Sequence, residues 1–204
     1  MDNTKNGYII LGAGGHGAVI ADILYKSGAD FLGFLDDTLL VGTEILGSKV
    51  LGGFDSCTEY QNVLFLIGLG YNDQRKKIAE KYNIEYGIAI HPSAIIGHSV
   101  KISVGTVLMA GSIVNPRTTI GRHCIINTNA SVDHDNTLGD FVHISPGAAL
   151  AGHVKVGDNT HIGIGAAVRN EITISHNTTI GAGAAVVKDI TIPGTYVGVP
   201  ARKI

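Results

Sequence analysis

The sequence predicts two unlike parts: a small Rossmann-like α/β domain over residues 1–87, then a hexapeptide-type parallel β-helix over residues 88–204. Three observations carry this prediction. A glycine-rich run, Gly12-Ala13-Gly14-Gly15-His16-Gly17, stands between a strand-like and a helix-like segment. An aliphatic residue recurs at every sixth position from Ile90 to Ile192. The composition is also split: ten of the 12 Phe and Tyr residues precede position 90, and eight of the nine His follow it.

In the first part, Gly7–Leu11 reads as a strand. After the glycine run, Val19, Ile20, Ile23 and Leu24 form a helical stripe, and Gly28 suits the helix C-terminus. Phe31–Leu35 reads as a second strand, closed by Asp36-Asp37. Strand, glycine turn, helix, strand and acid open a nucleotide-binding α/β unit. The glycines let backbone approach a phosphate, and the free N–H groups of the helix favour an anion. A later strand over Val63–Gly68 precedes Gly70-Tyr71-Asn72 and a helix from Asp73 to Tyr82. The domain is short for a full dinucleotide fold, so one mononucleotide fits better than NAD. A glycine turn used only for tight helix–sheet packing is the alternative.

In the second part, stepping by six from Ile90 meets eighteen consecutive Ile, Leu or Val residues. A period of six fits neither a helix nor simple alternation, and it is the signature of a β-helix coil. Three hexads make one triangular coil, so each aliphatic side chain points inward and stacks on the one 18 residues earlier. Six coils would stand roughly 29 Å tall. Gly97, Gly121, Gly139, Gly157, Gly163 and Gly181 follow the aliphatic position and would ease the corners. The position four after it is small or β-branched, as at Thr106, Thr118, Ala130 and Ala148. The register is expected to run unbroken from 90 to 197. Aromatic rings are scarce here because a narrow prism has no room for them.

Composition excludes several classes. With 45% hydrophobic residues, 16% charged residues and a net charge of -2, the chain is neither disordered nor marked for nucleic acid. No apolar run approaches a membrane span. The segment MDNTKN and the short run Tyr8–Leu11 make no signal-peptide core, so a cytoplasmic location is expected. Cys57 and Cys124 are too few for a disulfide scaffold and sit in no metal-type cluster.

The pairing of the GAGGHG run with the hexad array resembles the sugar acyltransferases of the sialic-acid O-acetyltransferase type. Within them it is most similar to the N-acetyltransferases of nucleotide-linked 4-amino-sugars, the bacillosamine type. Three further stretches carry the likeness. Asn127–Asp135 looks like the catalytic segment, Gly139–Gly147 looks like the segment lining the acetyl-CoA channel, and Val197–Arg202 resembles the Gly-x-Pro-Ala-basic ending of CoA-using relatives. The resemblance implies a left-handed β-helix, a homotrimer with active sites between subunits, acetyl-CoA as co-substrate, no metal, and a nucleotide-linked sugar as acceptor. Asp135 is a departure, because relatives tend to carry Glu after the histidine.

On that footing the residues take expected roles. His134 is the general base, and Asp135 is the better placed of its two acidic neighbours to fix the imidazole tautomer. Gly12, Gly14, Gly15, His16, Gly17, Asp36 and Asp37 would bind the nucleotide. His143 would meet the acetyl or pantetheine region of acetyl-CoA. Gly152, Gly163 and Gly165 would offer backbone N–H groups to the thioester oxygen. Lys188, Arg202 and Lys203 would meet the CoA phosphates. His143 and His161 lie 18 residues apart and should stack on one edge. The remaining histidines, His153 among them, are expected on the prism surface. Two other functions compete: O-acetylation of a sugar such as sialic acid, and a non-catalytic trimeric scaffold that binds a sugar nucleotide. A zinc site of the carbonic anhydrase kind would leave the GAGGHG domain unexplained.

Overall fold

In the computed structural model, which describes residues 7–204, the chain divides into two compact units, the first ending at Pro92 and the second running Ser93–Ile204. The division falls after Pro92 rather than at the expected 87/88. The segment MDNTKN lies outside the described residues. No described helix is long and apolar enough to cross a membrane.

The first unit runs β1 (Tyr8–Leu11), α1 (Gly15–Ser27), β2 (Phe31–Leu35), β3 (Glu44–Ile45), β4 (Ser48–Gly52), a 3-10 turn (Phe54–Glu59), β5 (Leu64–Ile67) and α2 (Asn72–Lys81). The strand order is β3-β4-β2-β1-β5, parallel except for the β3–β4 hairpin. Ile9, Ile10 and Leu11 are all fully buried. Both faces of β1 are therefore covered, which is why it reads as a continuous apolar run. Helix α1 packs on β1 and β2 through Ile20, Ile23 and Leu24, and closes at Gly28 with φ 72°. Val19, read as part of that stripe, is 41% exposed. The other face holds Cys57, Val63, Phe65 and Tyr82, with Ile78 of α2 against them.

The hairpin was not legible beforehand. Its turn takes positive φ at both Leu46 (51°) and Gly47 (80°). A leucine at the first of these positions conceals the usual Asn-Gly or Asp-Gly signal.

In the second unit, residues 18 apart pair in parallel, as in Ile113↔Ser131 and His143↔His161. Three sheets of short strands, most of them two residues long, form the faces of the coil. The aliphatic positions from Leu108 to Val186 are buried at 3% exposure or less. Hydroxyls in the small slot bond across coils: Thr106 Oγ1 donates to Gly121 O at 2.9 Å and Thr118 Oγ1 to Asp133 O at 2.8 Å.

Two expectations need correction. The register is not unbroken, because in the last coil Ile174 bridges Ile190 and Ile180 pairs with Tyr196, 16 residues on rather than 18. Ile190 therefore fills the interior at 5% exposure, while Ile192 is 61% exposed. In the opening coil Ile96 is also 40% exposed, since within its own unit that coil is stacked on one side only.

The corners, too, are made elsewhere than expected. Every sixth residue from Ser99 to Gly183 takes a left-handed conformation, with φ from 49° to 75°, and ten of these fifteen residues are not glycine. The glycines after the aliphatic position serve close approach instead. A Cβ on Gly157 would stand 2.4 Å from His176 N in the next coil.

Candidate active site

The strand Ser131–Val132 ends in the turn Asp133–Asn136, which is held from inside the prism. Asn136 is 1% exposed. Its Nδ2 donates to Asp133 O at 2.8 Å and its Oδ1 accepts from Val154 N–H. Thr118 Oγ1 also donates to Asp133 O, and Asp135 N donates to Pro116 O at 3.1 Å. Asp133 Oδ1 accepts from His134 N–H at 2.8 Å and from Asn115 Nδ2 at 2.8 Å, which holds its carboxyl below the usual range. Asn136→Ala leaves a buried carbonyl short of one donor and a buried N–H without its acceptor. A loss of about 2 kcal/mol is expected, measurable by urea unfolding.

Asp135 occupies one of the left-handed corners (φ 60°). That conformation turns its side chain toward its neighbour, and Asp135 Oδ2 lies 2.7 Å from His134 Nδ1. The histidine side chain is 46% exposed, so its other nitrogen has a way out to solvent. Arg117, at the corner one coil earlier, grips the same carboxylate with both prongs: Nε to Oδ1 and Nη2 to Oδ2, each at 2.6 Å. Arg117, and after it His134, hold the Asp135 carboxyl well below the usual range. His153, at the equivalent corner one coil later, has Nε2 3.7 Å from Asp135 Oδ2, and its ring meets His134 edge-on with centroids 5.3 Å apart. It is exposed, as expected, but it stands beside the candidate base.

Gly152 has a further part besides the one expected. A Cβ there would lie 2.7 Å from His134 Cε1 and 2.8 Å from Nε2. The imidazole rests in the space that glycine leaves open. Gly163 and Gly165 are not free donors, because their N–H groups bond Ile180 O (2.8 Å) and Pro146 O (3.0 Å). A shallow groove of about 430 Å³ runs along this face, lined by Asn115, Ser131, Asp133, Ala149, Ala151 and Ala167 among others.

His143 belongs to a different sheet from the strand that leads into His134. Its Nε2 is 3.0 Å from Asn127 Nδ2, and its ring stacks on His161 at 4.8 Å, as the 18-residue spacing predicts. His161 Nε2 in turn meets Ser145 Oγ at 2.7 Å. At the carboxy-terminal end, Lys188, Arg202 and Lys203 line one cleft of about 320 Å³ together with Asp189 and Tyr196.

In the first unit, β1 lies between β2 and β5, so the strand order reverses there, the usual place for a ligand crevice. Gly12 needs its glycine, with φ 107°. A Cβ on Gly17 would reach 2.0 Å from Gly12 O, a packing role. At Gly14 and Gly15 a Cβ would meet nothing within 4 Å. The fold thus leaves open space over the start of α1, which has no side-chain cap and no acid in its first turn. His16 sits in that turn. Burial, helped by the nearby Arg75 guanidinium, pushes its pKa down to about 4, so the imidazole is neutral at pH 7. Arg75, 1% exposed, pins the loop after β5 through Gly70 O (2.9 Å) and Asn72 Oδ1 (3.0 Å).

The two acids are engaged within the fold. Asp36 Oδ2 accepts from Ala13 N–H at 2.8 Å, and Oδ1 accepts from Thr38 N–H, Thr38 Oγ1 and Leu39 N–H. Asp36 thus braces the glycine turn, while Oδ2, with Ala13 N–H as its donor, keeps acceptor capacity for a ligand. Asp37 Oδ1 accepts from Phe54 N–H at 2.7 Å.

Sequence reading missed Arg117, His153, Asn115 and Asn136. The 18-residue spacing of Arg117, Asp135 and His153 was a usable signal. It went unread because the corner was assigned to the wrong hexad position.

Comparison with known proteins gives a consistent picture. Residues 8–82 match the PglD N-terminal domain family. The acetyltransferase domain of PglB from Neisseria gonorrhoeae FA1090 is 34% identical, covers 97% of this chain and 98% of its own, and superposes with TM-score 0.91. That domain is also known in complex with acetyl coenzyme A. Perosamine N-acetyltransferase from Caulobacter crescentus, solved with CoA and GDP-perosamine, is 35% identical over 97% of this chain and 96% of its own, with TM-score 0.90. UDP-N-acetylbacillosamine N-acetyltransferase of Bacillus subtilis (strain 168) is 41% identical over 111 residues, 50% of each chain. The match thus spans about half the length of that curated relative.

Proposed function

The chain belongs to the nucleotide-sugar N-acetyltransferases that carry a PglD-type amino-terminal domain, and we propose that it acetylates the amine of a nucleotide-linked 4-amino-4,6-dideoxy-sugar from acetyl-CoA, with His134 as general base. The observation that carries this reading is the His134–Asp135 pair, with Nδ1 committed to a carboxylate at 2.7 Å. A proton on Nδ1 leaves the Nε2 lone pair free to accept one.

The step balances on this one side chain. The amine nitrogen bonds to the thioester carbonyl carbon, and His134 Nε2 takes the proton that the nitrogen sheds. The carbon–sulfur bond then breaks, the proton passes to the sulfur, and amide and free CoA thiol leave with the imidazole restored.

Other features fit the two substrates. The open backbone at Gly14 and Gly15, at an uncapped helix start, suits a diphosphate. The cleft of Lys188, Arg202 and Lys203 suits CoA phosphates, and the groove of small residues beside Asp133 suits an extended pantetheine arm. His143 is assigned to the acetyl or pantetheine end. The family resemblance supports a homotrimer with sites shared between subunits.

The test is a thiol-release assay with acetyl-CoA against UDP-, dTDP- and GDP-linked 4-amino-sugars, with sialic acid and the matching hydroxy-sugars beside them. Turnover confined to an amino-sugar nucleotide is expected. Turnover only with hydroxy-sugars or sialic acid would move the reading to O-acetylation. Binding of a sugar nucleotide with no turnover would favour the scaffold.

A further inference from the structure

Asp135 is shared. Arg117, His134 and His153 all approach the one carboxylate, and Arg117, Asp135 and His153 occupy the equivalent left-handed corner of three successive coils. We infer that Arg117 is a positioning residue: it orients Asp135 and balances its charge, so that His134 meets the substrate as a neutral imidazole with Nδ1–H aimed at the carboxylate. The inference rests on the proposed role of His134 as base.

The geometry gives the reason. An aspartate is one methylene shorter than glutamate and reaches its neighbour here only because it sits at a corner with φ 60°. A carboxylate so placed is free to rotate about its own bonds. The two 2.6 Å contacts from Arg117 fix its plane, because a guanidinium fork matches a carboxylate in only one orientation. Lysine, a single-point donor, cannot do this.

Charge works through the same contact. A lone carboxylate beside an imidazole stabilises the imidazolium and raises the pH at which the base is lost to protonation. Arg117 opposes this with a fixed positive charge on the far side of Asp135. The other polar groups facing the pair are Asp133, whose Oδ1 is held by Asn115 and the His134 N–H, and His153, which adds positive charge near Asp135 when protonated. Removing Arg117 leaves two carboxylates around one histidine. The imidazolium is then favoured, and the loss of activity is greatest on the acid side.

The test compares wild type, Arg117→Gln and Arg117→Lys by imidazole 15N NMR titration without substrate, and by pH profiles of kcat/KM. In Arg117→Gln the His134 titration midpoint should rise, by an amount limited by solvent screening of the arginine side chain, which is 63% exposed. The acid limb of kcat/KM should follow, giving a loss of up to about tenfold below the limb that shrinks toward the alkaline plateau. Arg117→Lys should keep most of the midpoint while mixing the His134 tautomers. An unchanged midpoint in Arg117→Gln, or an equal loss of kcat/KM at every pH, would overturn the inference. The NMR arm needs no substrate. A failure of the proposed acceptor class would therefore show in the assay alone, and a failure of the Arg117 role in the titration.

Discussion

His134→Asn should lower kcat for acetyl transfer by about 10³-fold, with KM for both substrates changed only a few-fold. Asparagine keeps a polar side chain of similar reach but has no nitrogen that accepts a proton at neutral pH. The turn that carries it is held by Asn136, Thr118 and Pro116 through hydrogen bonds that do not involve the imidazole. Fold and substrate binding should therefore survive, and the loss should fall on the chemical step. Steady-state thiol release, with CoA binding followed by calorimetry, measures both. Turnover within a factor of a few of wild type would mean that the proton goes elsewhere. Loss of CoA binding to the same extent as kcat would mean that His134 serves the cofactor instead.

Gly152→Ala should be nearly as damaging, by about 10²-fold in kcat, although this glycine touches no reacting atom by its own chemistry. An added Cβ would fall 2.7 Å from His134 Cε1 and 3.2 Å from Nδ1. Those atoms are the far end of a side chain, so the imidazole gives way and the backbone does not. Gly152 is absent from the positive-φ positions, so alanine imposes no backbone strain there. Thermal unfolding should thus stay within a few degrees of wild type while the His134–Asp135 hydrogen bond is lost or bent. The downfield Nδ1 proton resonance of that bond reports it directly. Unaltered kcat would show that the ring can turn aside without cost. A large fall in stability would show that the space belongs to the coil and not to the base.

Much of the architecture was legible before any coordinates. The hexad period is a local steric rule: each aliphatic residue must face the interior, and each coil must repeat it. It held from Leu108 to Val186 and failed in the opening coil, where Ile96 is 40% exposed, and where the last coil shortens by two residues. The glycine turn and Gly28 were legible for similar reasons, since Gly12 and Gly28 both take positive φ. His134 and Asp135 were legible through family likeness, because two acids and a histidine on a turn say little by themselves.

What the chain determined alone is therefore the periodic part: which residues face inward, how many fit a coil, and where a helix must end. The tertiary structure decided the partners. Arg117 meets Asp135, and Gly152 makes room for His134, only because a closed coil returns the chain to the same edge every 18 residues. Asp135 turns toward its neighbour only because the corner falls on it rather than on the glycine position two residues earlier in the hexad. Asp36 carries the same lesson in the first unit. Its place after a strand suggested a ribose ligand; the fold also brings four donors from Ala13, Thr38 and Leu39 onto its carboxylate. A carboxylate goes to whichever donors the fold brings within reach, and that reach is a property of the closed structure, not of spacing along the chain.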